Sequence, residues 1–234
     1  MAHSRPAREP LASVTEQPGE APRPVPGADP EKRKRILAAA VKTFGSRGYH
    51  EARIAEIAAQ AGVAEGTVYL YFRNKEDLLG VVFDETMDEV LAEGRRIVRA
   101  DLPAAERLAR MVELHVGFLG ADRDLASVFQ IELRRSARLV ERFSRSKLVE
   151  YFRMLDHVLR QGVERGELRR DLDPRLAVRI LFGAADEILS EWLLSGESRP
   201  PSDGRRLVET LLHGFIARGP AATRRKAPRK GDSR

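Results

Sequence analysis

Apolar residues in this chain recur at intervals of three and four, and no stretch shows the two-residue alternation of a half-buried strand. The first stripe is Ile36, Leu37, Ala40, Val41 and Phe44, opened by Asp29–Pro30 and closed at Gly48. Aspartate accepts from free helix N–H groups, and proline suits the first helical position. Ile54, Ile57, Ala58 and Ala61 form a second, shorter stripe that Gly62 stops, and Val68 and Phe72 face inward from a third helix over 65–72. Asn74 caps a fourth, about 75–98, with Asp77 as a short-armed capping-box partner. Pro103 opens a fifth, whose apolar side is Leu108, Met111, Val112, His115 and Leu119. Residues 121–134 follow, then a long helix from about 136 to 165 that ends at Gly166. Asp173–Pro174 repeats the opening device, and Pro200–Pro201 separates that helix from a last one over 203–217. The pattern predicts an all-α chain of about nine helices.

Composition narrows the class. The 234 residues allow one large domain or two modest ones. Four Tyr, nine Phe and one Trp beside abundant Ala, Leu, Glu and Arg favour helices over strands. With no cysteine there is neither disulfide nor thiolate chemistry, and a reducing compartment fits. No apolar run approaches membrane-spanning length and no hydrophobic signal region opens the chain, so the expectation is a soluble, cytoplasmic protein without a membrane partner. Residues 1–28, with six prolines, and residues 219–234, with six Lys/Arg against one Asp, are expected to be disordered tails. Between them the helix pattern divides into a unit over 29–80 and a larger one over 81–218.

Charge and facing give the smaller unit its candidate chemistry. The net charge is +6, and 29–75 alone holds nine Lys/Arg against five Asp/Glu. Lys32, Arg33, Lys34 and Arg35 crowd the first turns of a helix, where cations oppose the dipole, so an external anion explains them better than helix stability does. A solvated basic face is the alternative. The outer face of 65–72 shows Glu65, Thr67, Tyr69 and Tyr71 where a surface helix usually carries Lys and Glu. A helix, glycine turn and helix presenting small residues, a hydroxyl and tyrosines suits a DNA major groove; a plain helical hairpin is the alternative.

The segment from Ile36 to Leu79, with IAAQAG, GTVYLYF and NKEDLL, resembles the DNA-binding domain of the TetR/AcrR family of bacterial repressors. Gly48, Ile57, Ala58, Ala61, Gly62, Val63, Gly66, Tyr69, Tyr71, Phe72 and Lys75 stand at that family's spacings. QIELRRS (130–136) and RLAVRILFGAADEILSEWLL (175–194) are similar to its acyl-CoA-responsive repressors of fatty-acid degradation, the FadR type. The likeness covers about 30–217. It implies a three-helix DNA-binding domain on a helical effector-binding and dimerisation domain, acting as a homodimer on a palindromic double-stranded operator. A small effector, with long-chain acyl-CoA the foremost candidate, would release it; a repressor of an efflux or other operon answering a different lipophile is the alternative. By position, Glu65, Gly66 and Tyr69 would lie over base edges, and Thr67, Tyr71 and Lys75 on phosphates. The sequence departs at Ala52 and Arg53, where the family usually has Thr and Ser or Thr; Arg53 can itself reach a phosphate. Glu65 either accepts from a cytosine or caps its own helix.

In the larger unit Leu181, Ala185, Ile188 and Trp192, with Leu207, Leu211, Leu212 and Phe215, form apolar bands suited to a four-helix dimer interface or to ordinary core. Val112, His115, Val116, Leu119, Phe129, Leu133, Phe152, Leu155 and Leu159 read as core from the pattern alone, and the resemblance makes them candidate tunnel lining. Arg134 and Arg135 would hold CoA phosphates, or pair with Glu132 or Glu141. The five histidines, at 3, 50, 115, 157 and 213, lack metal-ligand spacing, and no glycine-rich phosphate loop is present. No metal, cofactor or enzymatic activity is expected.

Overall fold

The computed structural model describes residues 29–132 and 145–213. Leu133, Arg134, Arg135 and Phe215, with both tails, lie outside those residues. Helix α1 (Pro30–Arg47) starts where the Asp29 carboxylate accepts from the Glu31 N–H at 2.9 Å. It stops at Gly48, whose φ of 85° strains any residue with a side chain. α2 (Ile54–Ala61) ends on Gly62 in the left-handed conformation, and α3 (Glu65–Tyr71) follows after two residues. Phe72 lies outside α3, one residue short of the expected end, with φ −136° and its N–H on the Val68 carbonyl. Ile36, Ala40, Phe44, Ile57, Ala58, Val68 and Phe72 close the core of this unit.

Helix α4 (Lys75–Arg99) begins inside that core with Leu78 and Leu79 and carries on into the larger unit with Val90, Leu91 and Ile97. Asn74 Oδ1 accepts from the Asp77 N–H at 2.8 Å. The Asp77 carboxylate takes the Arg73 N–H at 2.9 Å and the Arg73 guanidinium at 3.0 Å. α5 (Ala104–Gly120) and α7 (Arg145–Glu164) pack directly on α4, α8 (Pro174–Ser195) packs on α5 and α7, and α9 (Gly204–His213) packs on α5 and α8. The segment after α5 is a short α6 (Arg123–Ser127) running into a π turn, Val128–Glu132. Among the described residues there is no strand, and no helix is long and apolar enough to cross a membrane.

The expected dimer seam is corrected at three positions. Leu181, Ala185 and Trp192 are buried within their own chain, because their stripe on α8 faces α5 and α6. Trp192, 7% exposed, packs with Leu119, Ala126 and Leu189 under the Arg123 guanidinium, which stands 4.9 Å above the ring. Ile188, Leu207 and Leu211 are half-buried against the core. The large apolar side chains that α8 and α9 leave exposed are Leu212, which the expected seam included, and Leu176, Ile180 and Leu194, which it did not. Arg205 fastens α9 to α5 through Glu106 at 2.8 Å and Glu113 at 2.9 Å, and it holds the Glu106 carboxyl down to about 2.

The two units meet where α1 crosses α6. A Cβ on Gly45 would lie 2.5 Å from the Asp124 Cα and carbonyl oxygen, so the two backbones touch. Ser127 Oγ donates to the Gly45 carbonyl at 3.1 Å, and the buried Glu132 carboxylate accepts from the Tyr49 N–H at 2.8 Å. Gly45→Ala gains helix propensity of about 1 kcal/mol. It must also push apart a helix pair whose contact is backbone rather than flexible side chain, at about 1–3 kcal/mol or more for overpacking. The expected net result is a melting temperature lowered by several degrees, measured by thermal denaturation of the full chain; an unchanged or raised value would show that the helices separate freely.

Candidate nucleic-acid interface and effector core

Across α3 the side chains sort by facing. Val68 is buried, Thr67 and Tyr71 are half-buried, and Glu65, Gly66, Tyr69 and Leu70 point into solvent. Ala64 offers no capping side chain, so the Glu65 carboxylate stands in the first turn at the positive end of the helix. Gly66 has a helical φ, and a Cβ there would meet nothing within 4 Å. A glycine inside a helix costs about 0.5–1 kcal/mol against alanine, and no internal close approach returns it. Space in front of Gly66 is what a docking backbone needs. Tyr69 is 50% exposed with its ring outward, as the sequence requires.

Two of the expected phosphate contacts are engaged inside the protein. Lys75 Nζ donates to the carbonyls of Ala52 at 2.9 Å and His50 at 3.1 Å and stands 4.7 Å over the Tyr49 ring. Its ammonium therefore closes the loop between α1 and α2, which corrects a purely phosphate-facing role. Burial, with Glu76 next to it, raises the Tyr49 hydroxyl above its ordinary range. Tyr71 Oη takes the Asp29 N–H at 3.0 Å and donates to the Asp29 carbonyl at 3.2 Å, tying α3 to the head of α1. Arg53 precedes α2 without a side-chain cap; its N–H goes to Glu56 Oε2 at 3.3 Å and its side chain is exposed. In the basic cluster, Arg33 pairs with Glu85 of α4 at 2.5 Å and lies over Phe72, and Lys34 pairs with Glu31 at 3.0 Å. Half of that cluster thus has acidic partners within the chain. Lys32 and Arg35 remain exposed.

The candidate tunnel residues divide. Val112, Val116, Leu155 and Leu159 are buried in the main core, with Phe129 and Phe152 packed against it. Leu119 belongs to the separate cluster around Trp192, which corrects its grouping with the others. Four rings meet between α5, α7 and α8. The Phe152–Phe182 centroids are 4.9 Å apart and edge-on, His115–Phe182 5.2 Å, and His115–Tyr151 5.9 Å. Burial pushes the Tyr151 hydroxyl well above its usual range, so it stays a phenol, donating to the Met111 carbonyl. Phe129 stacks on Phe83 of α4 at 5.2 Å. Gln130 Nε2 donates to Asp186 Oδ1 at 2.7 Å, and His115 Nε2 lies 3.9 Å from the same oxygen.

Sequence reasoning missed Tyr151, Phe182, Gln130 and Asp186, and it missed the role of Glu132. Their polar and aromatic identities were visible, but only tertiary packing brings them together. The π turn gives three neighbours three tasks. Phe129 faces the ring of Phe83, Gln130 reaches α8, and Glu132 reaches the loop after α1. The extra residue of a π turn permits such facing and often marks a functional segment. Among the described residues no group of three or more His, Cys, Asp or Glu has a metal-binding arrangement.

With this geometry in view, likeness to known proteins is informative. Residues 36–82 match the bacterial regulatory proteins described as the tetR family, and 83–212 match the YsiA-like protein C-terminal region. The chain is 37% identical over 166 residues to the fatty acid metabolism regulator protein of Bacillus subtilis, covering 71% of this chain and 86% of that one. It superposes on the transcriptional regulator FadR of Bacillus subtilis in complex with stearoyl-CoA, with TM-score 0.73 and 34% identity, over 79% of this chain and all of that one. The fatty acid degradation regulator FadR of Bacillus halodurans gives TM-score 0.72 at 35% identity, with the same coverage.

Two substitutions separate reading from bracing. Tyr69→Ala removes an outward ring and opens no cavity, so binding to a selected duplex should fall while the melting temperature stays near wild type. Lys75→Ala removes two charge-assisted hydrogen bonds to backbone carbonyls and should cost about 1–3 kcal/mol of stability. Calorimetry of both variants beside duplex-binding titrations checks the pair. Destabilisation by Tyr69→Ala, or none by Lys75→Ala, contradicts the assignment.

Proposed function

Because both of its units match, the chain belongs to the tetR family of bacterial regulatory proteins, and on that premise we propose that it represses genes of fatty-acid metabolism until a long-chain acyl-CoA releases it from a palindromic operator. The observation that carries this reading is the likeness, over most of this chain, to a FadR that holds stearoyl-CoA. The chemistry agrees: Val112, Val116, Leu155, Leu159, Phe129 and Phe152 offer an acyl chain an apolar environment. Arg134 and Arg135, which follow the π turn in sequence, are the proposed holders of the CoA phosphates.

Two copies related by a two-fold axis would set their α3 helices about one DNA turn apart, roughly 34–36 Å, as a palindrome requires. Exposed Leu176, Ile180, Leu194 and Leu212, beside half-buried Ile188, Leu207 and Leu211, are the proposed seam. Acyl-CoA would act by turning the Phe129 and Phe152 rings and moving the π turn, which the Glu132–Tyr49 hydrogen bond joins to the DNA-binding unit. The cytoplasm, where operator and acyl-CoA are both present, is the proposed site of action.

Operator affinity should fall by about 5- to 150-fold on adding saturating stearoyl-CoA, the usual range of coupling between two sites, and much less with free stearate. Titration of a selected duplex with acyl-CoAs from about C8 to C18, with CoA alone as control, measures it. Indifference to every chain length removes the effector and leaves the DNA-binding half. Glu132→Ala should narrow the difference between affinities with and without stearoyl-CoA; a full response in that variant would move the coupling route elsewhere.

A further inference from the structure

We infer that Leu70 recognises the 5-methyl group of a thymine in the major groove, an assignment that rests on the DNA-binding reading and adds a base to it. At 100° per residue, Gly66 and Leu70 each lie about 160° round α3 from Val68, which is 1% exposed and marks the inward direction. They straddle the outermost line of the helix. Leu70 is 61% exposed, more than Tyr69 beside it, so its side chain adds little to the fold. Gly66, one turn before it, puts no side chain in front and has open space where a Cβ would stand. The outermost line of α3 is therefore an isobutyl group next to bare backbone.

Charge identifies the partner. Residues 29–75 hold nine Lys/Arg against five Asp/Glu, with Lys32, Arg35 and Arg53 exposed, so the unit that carries α3 attracts a polyanion rather than an apolar protein surface. On the floor of the major groove each base pair offers hydrogen-bond donors and acceptors, and its one apolar feature is the thymine methyl. Glu65 and Tyr69 carry polar atoms that meet the donors and acceptors. Leu70 has none, and the methyl is what it can desolvate. Apolar sugar surface is the rival partner, and it is unchanged when thymine is replaced by uracil.

The experiment uses the full chain. A duplex enriched from a randomised 30-base-pair library on wild-type protein is resynthesised with deoxyuridine at each thymine in turn. Burying a methyl-sized group is worth about fourfold in affinity. One thymine per half-site should therefore show a loss of about fourfold, and about fifteenfold with both half-sites substituted. Leu70→Ala should bind the parent duplex more weakly and treat thymine and uracil alike at that position. Leu70→Met, which keeps an apolar reach, should retain most of the discrimination and covers the case in which the alanine variant binds too weakly to score. Wild type that ignores uracil at every thymine, or a Leu70→Ala protein with the wild-type thymine-to-uracil ratio, overturns the inference while the DNA-binding reading stands. Failure to enrich any duplex overturns both.

Discussion

The backbone contact between Gly45 of α1 and Asp124 of α6 sets the terms for the rest of the molecule. Two helices from different units approach so closely there that a single added carbon would lie 2.5 Å from the opposing backbone. Packed interiors move between discrete arrangements rather than yielding continuously. A shift of α6 therefore obliges α1 to follow, slip or separate. Ser127 and Glu132 reinforce the same joint with hydrogen bonds to the Gly45 carbonyl and the Tyr49 N–H. Since α1 shares its core with α2 and α3, the orientation of the recognition helix depends on this junction.

The DNA-binding unit separates holding from reading. Lys75 and Tyr71 spend their polar atoms on backbone groups near Ala52, His50 and Asp29, which fixes α3 against the head of α1 and the loop after it. What α3 then presents is short and largely free of internal ties: Glu65, Gly66, Tyr69 and Leu70. A rigid mount with an uncommitted outer face is what pre-organised recognition needs, because little conformational entropy remains to be lost on binding. In the larger unit the corresponding economy is aromatic. Rings of Phe83, Phe129, Phe152 and Phe182 fill the space between helices with no hydrogen bond of their own to hold them, while Tyr151 is tied to the Met111 carbonyl.

Much of the fold was legible because its signals are local. Asp–Pro starts at 29 and 173, the Asn74 cap and the stops at Gly48 and Gly62 each act within a turn of where they stand. The inward stripes of α1 to α3 follow from helical period alone. The facing of α8 was not legible in the same way. Its apolar residues occupy more than one side, and only the positions of α5 and α6 decide that Leu181, Ala185 and Trp192 turn inward while Ile180 and Leu194 turn out. The roles of Lys75 and Glu132 were hidden for a related reason. Their partners are backbone groups of residues 23 to 83 positions away, which no spacing reveals. Leu70 was overlooked because an exposed leucine is ordinary until the empty space at Gly66 is seen beside it.

The central claim is that one protein holds DNA and acyl-CoA as competitors through a shared conformational equilibrium. Thermodynamic linkage makes any such coupling reciprocal. Calorimetric titration of stearoyl-CoA into the protein, free and saturated with its selected duplex, measures it without assuming which residues move. DNA should weaken acyl-CoA binding by the same factor by which acyl-CoA weakens DNA binding. Equal acyl-CoA affinity with and without DNA would contradict it.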